Sequence, residues 1–442
     1  MKVTATILVL LVSIGTTASF GQAPDHHHHS GVQNVVVIFQ ENRTPDNLFG
    51  SNPNFLPGVD IATSGVNSQG QQIPLTAVPL VNNYDLSHAH SAFVAMYDGG
   101  TMDGADKVPV YCAKGAQGCP PANPQFKYVD NSTGILNPYF QLAEQYTFGD
   151  RMFQTNQGPS FPAHQYIISG TSAPTADSDL FAAENPGGNA NANNNTGCTA
   201  PSGEFVTLID PSGSESQKMY PCFEHPTLTD LLDNAGVSWR YYTPSAGSIW
   251  TGPNAIYHLR FGADWSNDVV LKPAQILTDI ANNQLPAVSW VIPTGQESDH
   301  PNGNQGLGPS WVASVVNAIG QSQYWDNTVI LITWDDWGGW YDHVAPTLIN
   351  SYEYGFRVPL IVVSPFAKQA YVSHVTHDFG SILKFIEETY HLPSLGYADA
   401  PADDLSDCFD FHRHNVFQKI PVPHDGKYFV DDKTPPEDPD DD

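Results

Sequence analysis

Apolar strands alternating with helical stretches predict an α/β fold: a single domain with a mainly parallel central sheet, flanking helices and long polar loop insertions. Three observations carry this. Asn34-Val-Val-Val-Ile-Phe39, Thr328-Val-Ile-Leu-Ile-Thr333 and Val358-Pro-Leu-Ile-Val-Val-Ser364 are short, β-branched apolar runs, the pattern of strands buried on both faces. The first two stop abruptly at Gln40-Glu-Asn-Arg43 and Asp335-Asp336, and in parallel sheets ligands gather just beyond the carboxyl ends of the strands. Pro226–Gly236 is an amphipathic helix with a glycine stop that leads into the strand Val237–Tyr242, one α-then-β step.

From the N-terminus, residues 1–23 read as a secretory signal. Lys2 gives the positive start, Ile7 to Val12 the apolar core, and Ser19-Phe-Gly21 or Gly21-Gln-Ala23 a small-residue cleavage site. The core is too short to cross a bilayer, and no later stretch reaches the ~20 apolar residues a span needs. The expectation is an exported protein, extracellular or periplasmic, with no transmembrane segment. Residues 24–33 form a flexible leader with a His26–His29 tract, and the domain occupies 34–430. Ser51–Asn83 reads as irregular surface loop, and Asp85–Gly100 as a helix with His88 in its first turn. Val108–Pro124 is a loop and Pro138–Gln145 a short helix. Thr155–His164 is a Gly/Pro-constrained turn that leads into a helix opening near Gln165. Ala173–Gly203 is polar, low-complexity surface. Leu285–Ile292 is a strand that delivers Asp299 and His300 beyond its end, and Trp311–Gln321 is helical. Asp378–Tyr390 is an amphipathic helix with Ile382, Leu383, Phe385 and Ile386 inward, and the acidic, Pro-rich residues 431–442 read as a disordered tail.

Charge narrows the function. Lys plus Arg number 17 against 46 Asp plus Glu, a formal net charge of -29. Such a surface repels nucleic acid and anionic membrane, and suits an acidic medium. An anionic substrate would need local positive charge from a metal, protonated histidine or placed arginines. Of five cysteines, Cys112 with Cys119 and Cys198 with Cys222 are the candidate disulfides of an exported chain, leaving Cys408 free. No C-x-x-C pair is present, which argues against a structural zinc site built on cysteine.

Several strands thus end in residues that carry chemistry. Glu41 and Asn42, with Asp335 and Asp336, form a hard-oxygen ligand set for a divalent cation such as Mg, Ca or Mn. The plainer alternatives are a helix cap at Glu41 and a pair of surface aspartates. Asp342 and His343 follow a Gly-Gly turn rich in aromatics, Trp334, Trp337, Trp340 and Tyr341, which could exclude water around a site or be ordinary core. Ser160 lies between Pro159 and Phe161 on the constrained turn, outside any G-x-S-x-G elbow, so a Ser-His-Asp hydrolase is disfavoured. It is either a turn residue or a hydroxyl activated beside a metal.

These stretches resemble the motifs of the bacterial phosphoesterase family, which contains phosphatidylcholine-type phospholipases C and secreted acid phosphatases and is similar in fold to alkaline phosphatase. Glu41-Asn-Arg-Thr-Pro-Asp46 with Phe49-Gly50 resembles the Glu-Asn-Arg-Ser-Phe-Asp…Phe-Gly signature. His88 with Tyr97-Asp-Gly-Gly-Thr-Met-Asp-Gly104, Ser160-Phe-Pro-Ala-His164, Asp299-His-Pro301 and Asp335-Asp-Trp-Gly-Gly-Trp-Tyr-Asp-His343 are similar to further motifs in the family's order. The resemblance implies that Glu41, Asn42, Asp335 and Asp336 bind the metal. It implies that Ser160 is the nucleophile, through a phosphoserine. His88, His300 and His343 would contact phosphoryl oxygens or protonate the leaving group, with His164 and Asp342 at the substrate. Two departures favour the phosphatase branch: Ser160 stands where the phospholipases commonly have threonine, and Ala163-His164 where they have Asn-Arg. The chain is also short for their added C-terminal β domains. The expectation is an acid phosphatase acting on small phosphate esters. The alternatives are a phospholipase C acting on phospholipid head groups, with Trp337, Trp340 and Tyr341 as part of a choline-binding aromatic cage, and a catalytically inactive phosphate- or carbohydrate-binding surface protein.

Overall fold

The computed structural model describes residues 1, 31–188, 195–301 and 304–436. The expected signal segment at 2–23, the His26–His29 tract, the Asn-rich run at 189–194 and the end of the acidic tail lie outside the described residues. Eight strands make the main sheet, numbered here along the chain: β1 Asn34–Gln40, β2 Thr147–Gly149, β3 Trp239–Tyr242, β4 Val269–Val270, β5 Val288–Val291, β6 Thr328–Trp334, β7 Leu360–Val363 and β8 Tyr371–Ser373. Their order across the sheet is β4-β3-β5-β1-β6-β7-β2-β8. All pairings are parallel except the two made by β7, which runs antiparallel to both β6 and β2. The sheet is therefore mainly parallel, as the unbroken apolar runs predict.

The most apolar strand sits in the middle. Val35 to Phe39 have no exposed surface, each worth about 1.5–3 kcal/mol relative to an exposed position. Register then does the positioning. Asn34 pairs with Thr328 and Gln40 with Trp334, so the next residues of both chains, Glu41 and Asp335, emerge side by side at one edge. The Asp335 N–H donates to the Gln40 carbonyl at 2.8 Å and continues the ladder one step further.

Helices cover both faces. Among them are α1 Pro45–Phe49, α2 His90–Tyr97, α3 Asn137–Gln145, α4 Ser160–Ser169, α5 Leu228–Ala235, α6 Gln275–Ala281, α7 Gly308–Gly320, α8 Phe379–Thr389 and α9 Gly426–Asp431. In α8, Ile382, Leu383, Phe385 and Ile386 are buried, as their spacing predicts. None of the helices among the described residues is long and apolar enough to cross a membrane. Cys112–Cys119 and Cys198–Cys222 are disulfides, and Cys408 is free and buried.

Four local expectations change. Tyr84–Leu86 is a strand paired antiparallel with Val110–Cys112, so α2 begins only at His90 and His88 lies in the turn before it. Helix α4 starts at Ser160, five residues earlier than expected. Pro162 is tolerated in its first turn because the N–H it lacks has no intrahelical acceptor there. The polar stretch 173–203 is not all surface: Phe181–Ala182 pairs with Val206–Ile209, which pairs with Gln217–Met219 in a second sheet. A helix not read from the sequence, α9, closes the domain: Asp425 caps it and Phe429 packs on Trp311 with ring centroids 5.2 Å apart.

Candidate active site

The sheet edge beyond β1 and β6 is where the chemistry collects. Asn42 takes a left-handed conformation, φ 59°, which turns the chain sharply after the strand. Its N–H donates to Asp335 Oδ1 at 2.9 Å, and the Asp336 N–H donates to the same oxygen at 2.7 Å. Gly338, with φ +62°, packs directly on this turn: a Cβ there would lie 2.4 Å from the Asn42 carbonyl oxygen. The Gly-Gly turn is thus what lets the two strand ends close on each other.

The His88 ring fixes the Asn42 amide. His88 Nδ1 is 3.0 Å from the Leu86 carbonyl, which can only accept, so this nitrogen carries a proton. His88 Nε2 then accepts from Asn42 Nδ2 at 3.5 Å, and the amide oxygen is turned away from the ring. Asn42 Oδ1 and Asp335 Oδ2 are both buried without a hydrogen-bond partner. Buried oxygens left bare cost free energy unless a cation or donor meets them.

Ser160 approaches from α4. Its Oγ donates to Asp336 Oδ2 at 3.4 Å, while Asp336 Oδ1 accepts from the Gly338 N–H at 2.6 Å. As the first residue of a ten-residue helix, Ser160 sits at the positive end of the helix dipole, where anions are favoured. One turn on, His164 Nε2 lies 3.2 Å from Glu41 Oε1, with both side chains fully buried. His300 lies nearby, its ring centroid 6.0 Å from that of His88, and its Nε2 3.8 Å from Asp85 Oδ2. Contacts therefore link Glu41, Asn42, Asp335, Asp336, Ser160, His88, His164 and His300 into one cluster. Asp299 is a support beneath it. Its Oδ2 accepts from Tyr139 Oη and Trp334 Nε1 at 2.7 and 3.0 Å. Burial lifts its pKa to about 6, against the pull of Tyr139, the Arg43 charge and Trp334.

His343 and Asp342 stand apart from this cluster. Both ring nitrogens of His343 face carboxylates, Nδ1 to Asp46 Oδ2 at 2.7 Å and Nε2 to Asp60 Oδ1 at 3.0 Å. Burial opposes its charge, but the Asp46 hydrogen bond and the charges of Asp46 and Asp342 hold its pKa up at about 9. Asp342 is clasped by Arg357, Nε to Oδ1 at 2.8 Å and Nη2 to Oδ2 at 2.9 Å. His343 and Asp342, expected at the substrate, are held in an ion-pair network with Asp46, Asp60 and Arg357. Trp337 and Trp340 have no exposed surface and Tyr341 almost none, so they are core. Arg43, stacked 5.3 Å over Trp340, already occupies the ring face that a cationic ligand would use.

Two residues escape a reading of the sequence. Asn185 Oδ1 accepts from the Phe161 N–H at 2.9 Å, in the first turn of α4. Glu184 lines a cavity of about 80 Å³ with Ser87, His88, Tyr111 and Pro159. Burial, helped by the neighbouring Glu215 carboxylate, pushes its pKa up to about 8. Both come from the polar insertion, whose composition carries no periodic signal.

The donors fit a divalent cation. One ligand atom each from Glu41, His164 and Asp335 lies within 4.8 Å of the others. The bare Asn42 and Asp335 oxygens add to this set, and hard oxygens are what such ions take. Carboxylates, an amide oxygen and imidazoles converge on a hydroxyl at a helix start, at the carboxyl edge of a parallel sheet, an arrangement suited to hydrolysis of phosphoric esters. The sequence comparison agrees: residues 32–393 match the Phosphoesterase family, and the chain belongs to it. It is 24% identical over 454 residues to Phospholipase C B of Mycobacterium tuberculosis, covering 89% of this chain and 80% of the relative. It is 25% identical over 460 residues to the hemolytic phospholipase C of Pseudomonas aeruginosa, covering 88% of this chain and 57% of that protein. Among solved structures, an alkaline phosphatase superfamily protein from Vibrio parahaemolyticus matches with a TM-score of 0.38 and 11% identity, over 86% of this chain and 72% of its own.

Proposed function

We propose that the protein is an exported, metal-dependent phosphomonoesterase that works best in acid and passes the phosphoryl group through Ser160. The observation that carries this is the Ser160 hydroxyl at the start of α4, 3.4 Å from Asp336 Oδ2 and beside buried oxygens that lack donors. Glu41, Asn42, Asp335 and Asp336 would hold a divalent cation, which would supply neutralising charge to the phosphoryl group and lower the pKa of the adjacent hydroxyl.

The chain's own residues do the rest. Asp336 Oδ2 aligns the hydroxyl and passes on its proton as the Oγ–phosphorus bond forms and the bond to the leaving oxygen breaks. The α4 N-terminus favours the anionic group, so charge on the phosphoryl oxygens meets preset dipoles. His300 donates to these oxygens or protonates the leaving oxygen, while His88 holds the Asn42 amide in place. Water then attacks phosphorus, inorganic phosphate departs and the hydroxyl is restored. On a chain of net charge -29, an acidic medium favours this arrangement. Glu184, with its pKa near 8, is neutral there and does not repel a phosphate monoester.

The cavity of about 80 Å³ beside His88 is also lined by Pro159, the residue before Ser160. A second reading, a phospholipase C, draws on the names of the relatives. Rates on p-nitrophenyl phosphate and on its phosphocholine ester separate the two. The proposal expects the monoester to be the better substrate in kcat/KM at acid pH; strong preference for the diester would overturn it in favour of the second reading.

A further inference from the structure

We propose that His164 is a nitrogen ligand of the cation, so that the centre is a mixed nitrogen–oxygen site selective for Mn-type transition ions over Ca and Mg. This rests on the metal-dependent reading above. The argument begins at Tyr241. Its hydroxyl donates to the Trp250 carbonyl at 2.9 Å and accepts from the Gly252 N–H at 3.4 Å. With its one proton committed, the oxygen can only accept from His164 Nδ1, 3.3 Å away. Nδ1 therefore carries a proton, and a neutral ring presents the Nε2 lone pair to Glu41 Oε1 at 3.2 Å. Two lone pairs do not face each other in a buried site without something positive between or beside them.

That positive partner is either a proton on Nε2 or a shared cation, and the neighbouring oxygens favour the cation. A proton on Nε2 would leave Asn42 Oδ1 and Asp335 Oδ2 without partners, whereas a cation meets them as well. One ligand atom each from Glu41, His164 and Asp335 already lies within 4.8 Å of the others. The hydrogen bond from Nδ1 to Tyr241 is the outer-shell support that metal-bound histidines use to fix ring and tautomer. Packing holds the ring in place, with Phe39 edge-on at 4.8 Å between centroids. Imidazole donors suit transition ions, whereas Mg and Ca prefer oxygen throughout.

The test uses the full chain loaded with Mn. Pulsed electron paramagnetic resonance should show nitrogen modulation from a directly bound imidazole. In His164→Gln the modulation should vanish while Mn stays bound through the oxygens, and the Mn-over-Ca affinity ratio should fall about tenfold or more. Should that variant fail to fold, Tyr241→Phe keeps the ring packing and should weaken Mn binding by about tenfold. Wild type with bound Mn and no imidazole modulation, or modulation that survives His164→Gln, would overturn the assignment while leaving the metal-dependent reading intact. If equilibrium dialysis finds no divalent cation bound at all, that reading falls too.

Discussion

Removing the Arg357 guanidinium tests the ion-pair network that anchors the chain just beyond Asp335 and Asp336. All five of its N–H groups are used. Nε and one Nη2 hydrogen go to Asp342 at 2.8 and 2.9 Å, the other Nη2 hydrogen to Asp46 at 3.3 Å, and Nη1 to the carbonyls of Asp60 and Asp150 at 3.0 and 2.8 Å. Arg357, Asp342 and Asp46 are completely buried. Methionine keeps most of the volume but leaves Asp342 an uncompensated charge. Breaking a buried pair in this way costs about 3–5 kcal/mol, and each orphaned carbonyl about 1 kcal/mol more. We expect Arg357→Met to lose about 4 kcal/mol or more in urea denaturation near neutral pH. Burial already raises the Asp342 pKa against the pull of Arg357, so without the arginine the carboxyl takes up a proton easily. The loss should therefore shrink toward pH 5, and Asp342→Asn in the Arg357→Met background should restore part of it at neutral pH. A cost below about 1 kcal/mol, or one equal at both pH values, would refute the reasoning.

Further outcomes follow from the same structure. Stability should fall from about pH 6.5 to about pH 9. His343, raised to about 9 from 6.5, contributes fully below the lower value and loses its contribution as pH passes the upper, worth about 3 kcal/mol. Burial-raised Glu387, at about 8, and Asp378, at about 7, shift stability the same way, while His225, lowered by burial, acts only below about pH 6.5. A melting temperature lower by at least about 5 °C at the alkaline end is expected, and a flat or rising profile would count against these assignments. Chelation should abolish hydrolysis and lower the melting temperature of wild type. Asn42→Ala should weaken the cation's protective shift, and thermal melts with and without added Mn read both; about 2.7 kcal/mol of protection is expected in wild type at a hundredfold excess over Kd.

How much was legible depended on whether a residue's partner lay in its own stretch. β1 and β6 could be read because a strand buried on both faces has no polar alternation, and their abrupt polar ends then mark the sheet edge. Ser160 could be singled out but not placed at a helix start. Gly158, Pro159 and Pro162 carry turn propensity, while the first turn of a helix needs no N–H from Pro162. His343 and Asp342 could be singled out from the aromatic-rich Gly-Gly turn and the family motif, but nothing local shows that Arg357 will clasp Asp342. Trp337 and Trp340 read equally as cage or core, a choice settled only by burial. Tyr241 and Glu184 reach the site through tertiary packing alone, from a strand and an insertion far away in the chain.

The central claim is that phosphorus is transferred to Ser160 Oγ. The direct measurement is rapid acid quenching during turnover of p-nitrophenyl phosphate, followed by mass spectrometry of the peptide containing Ser160. A phosphoryl group on Ser160 is expected in wild type, together with its absence in Ser160→Ala and a loss of kcat of about a thousandfold or more in that variant. Full activity in Ser160→Ala, or phosphate trapped on a different residue, would contradict it.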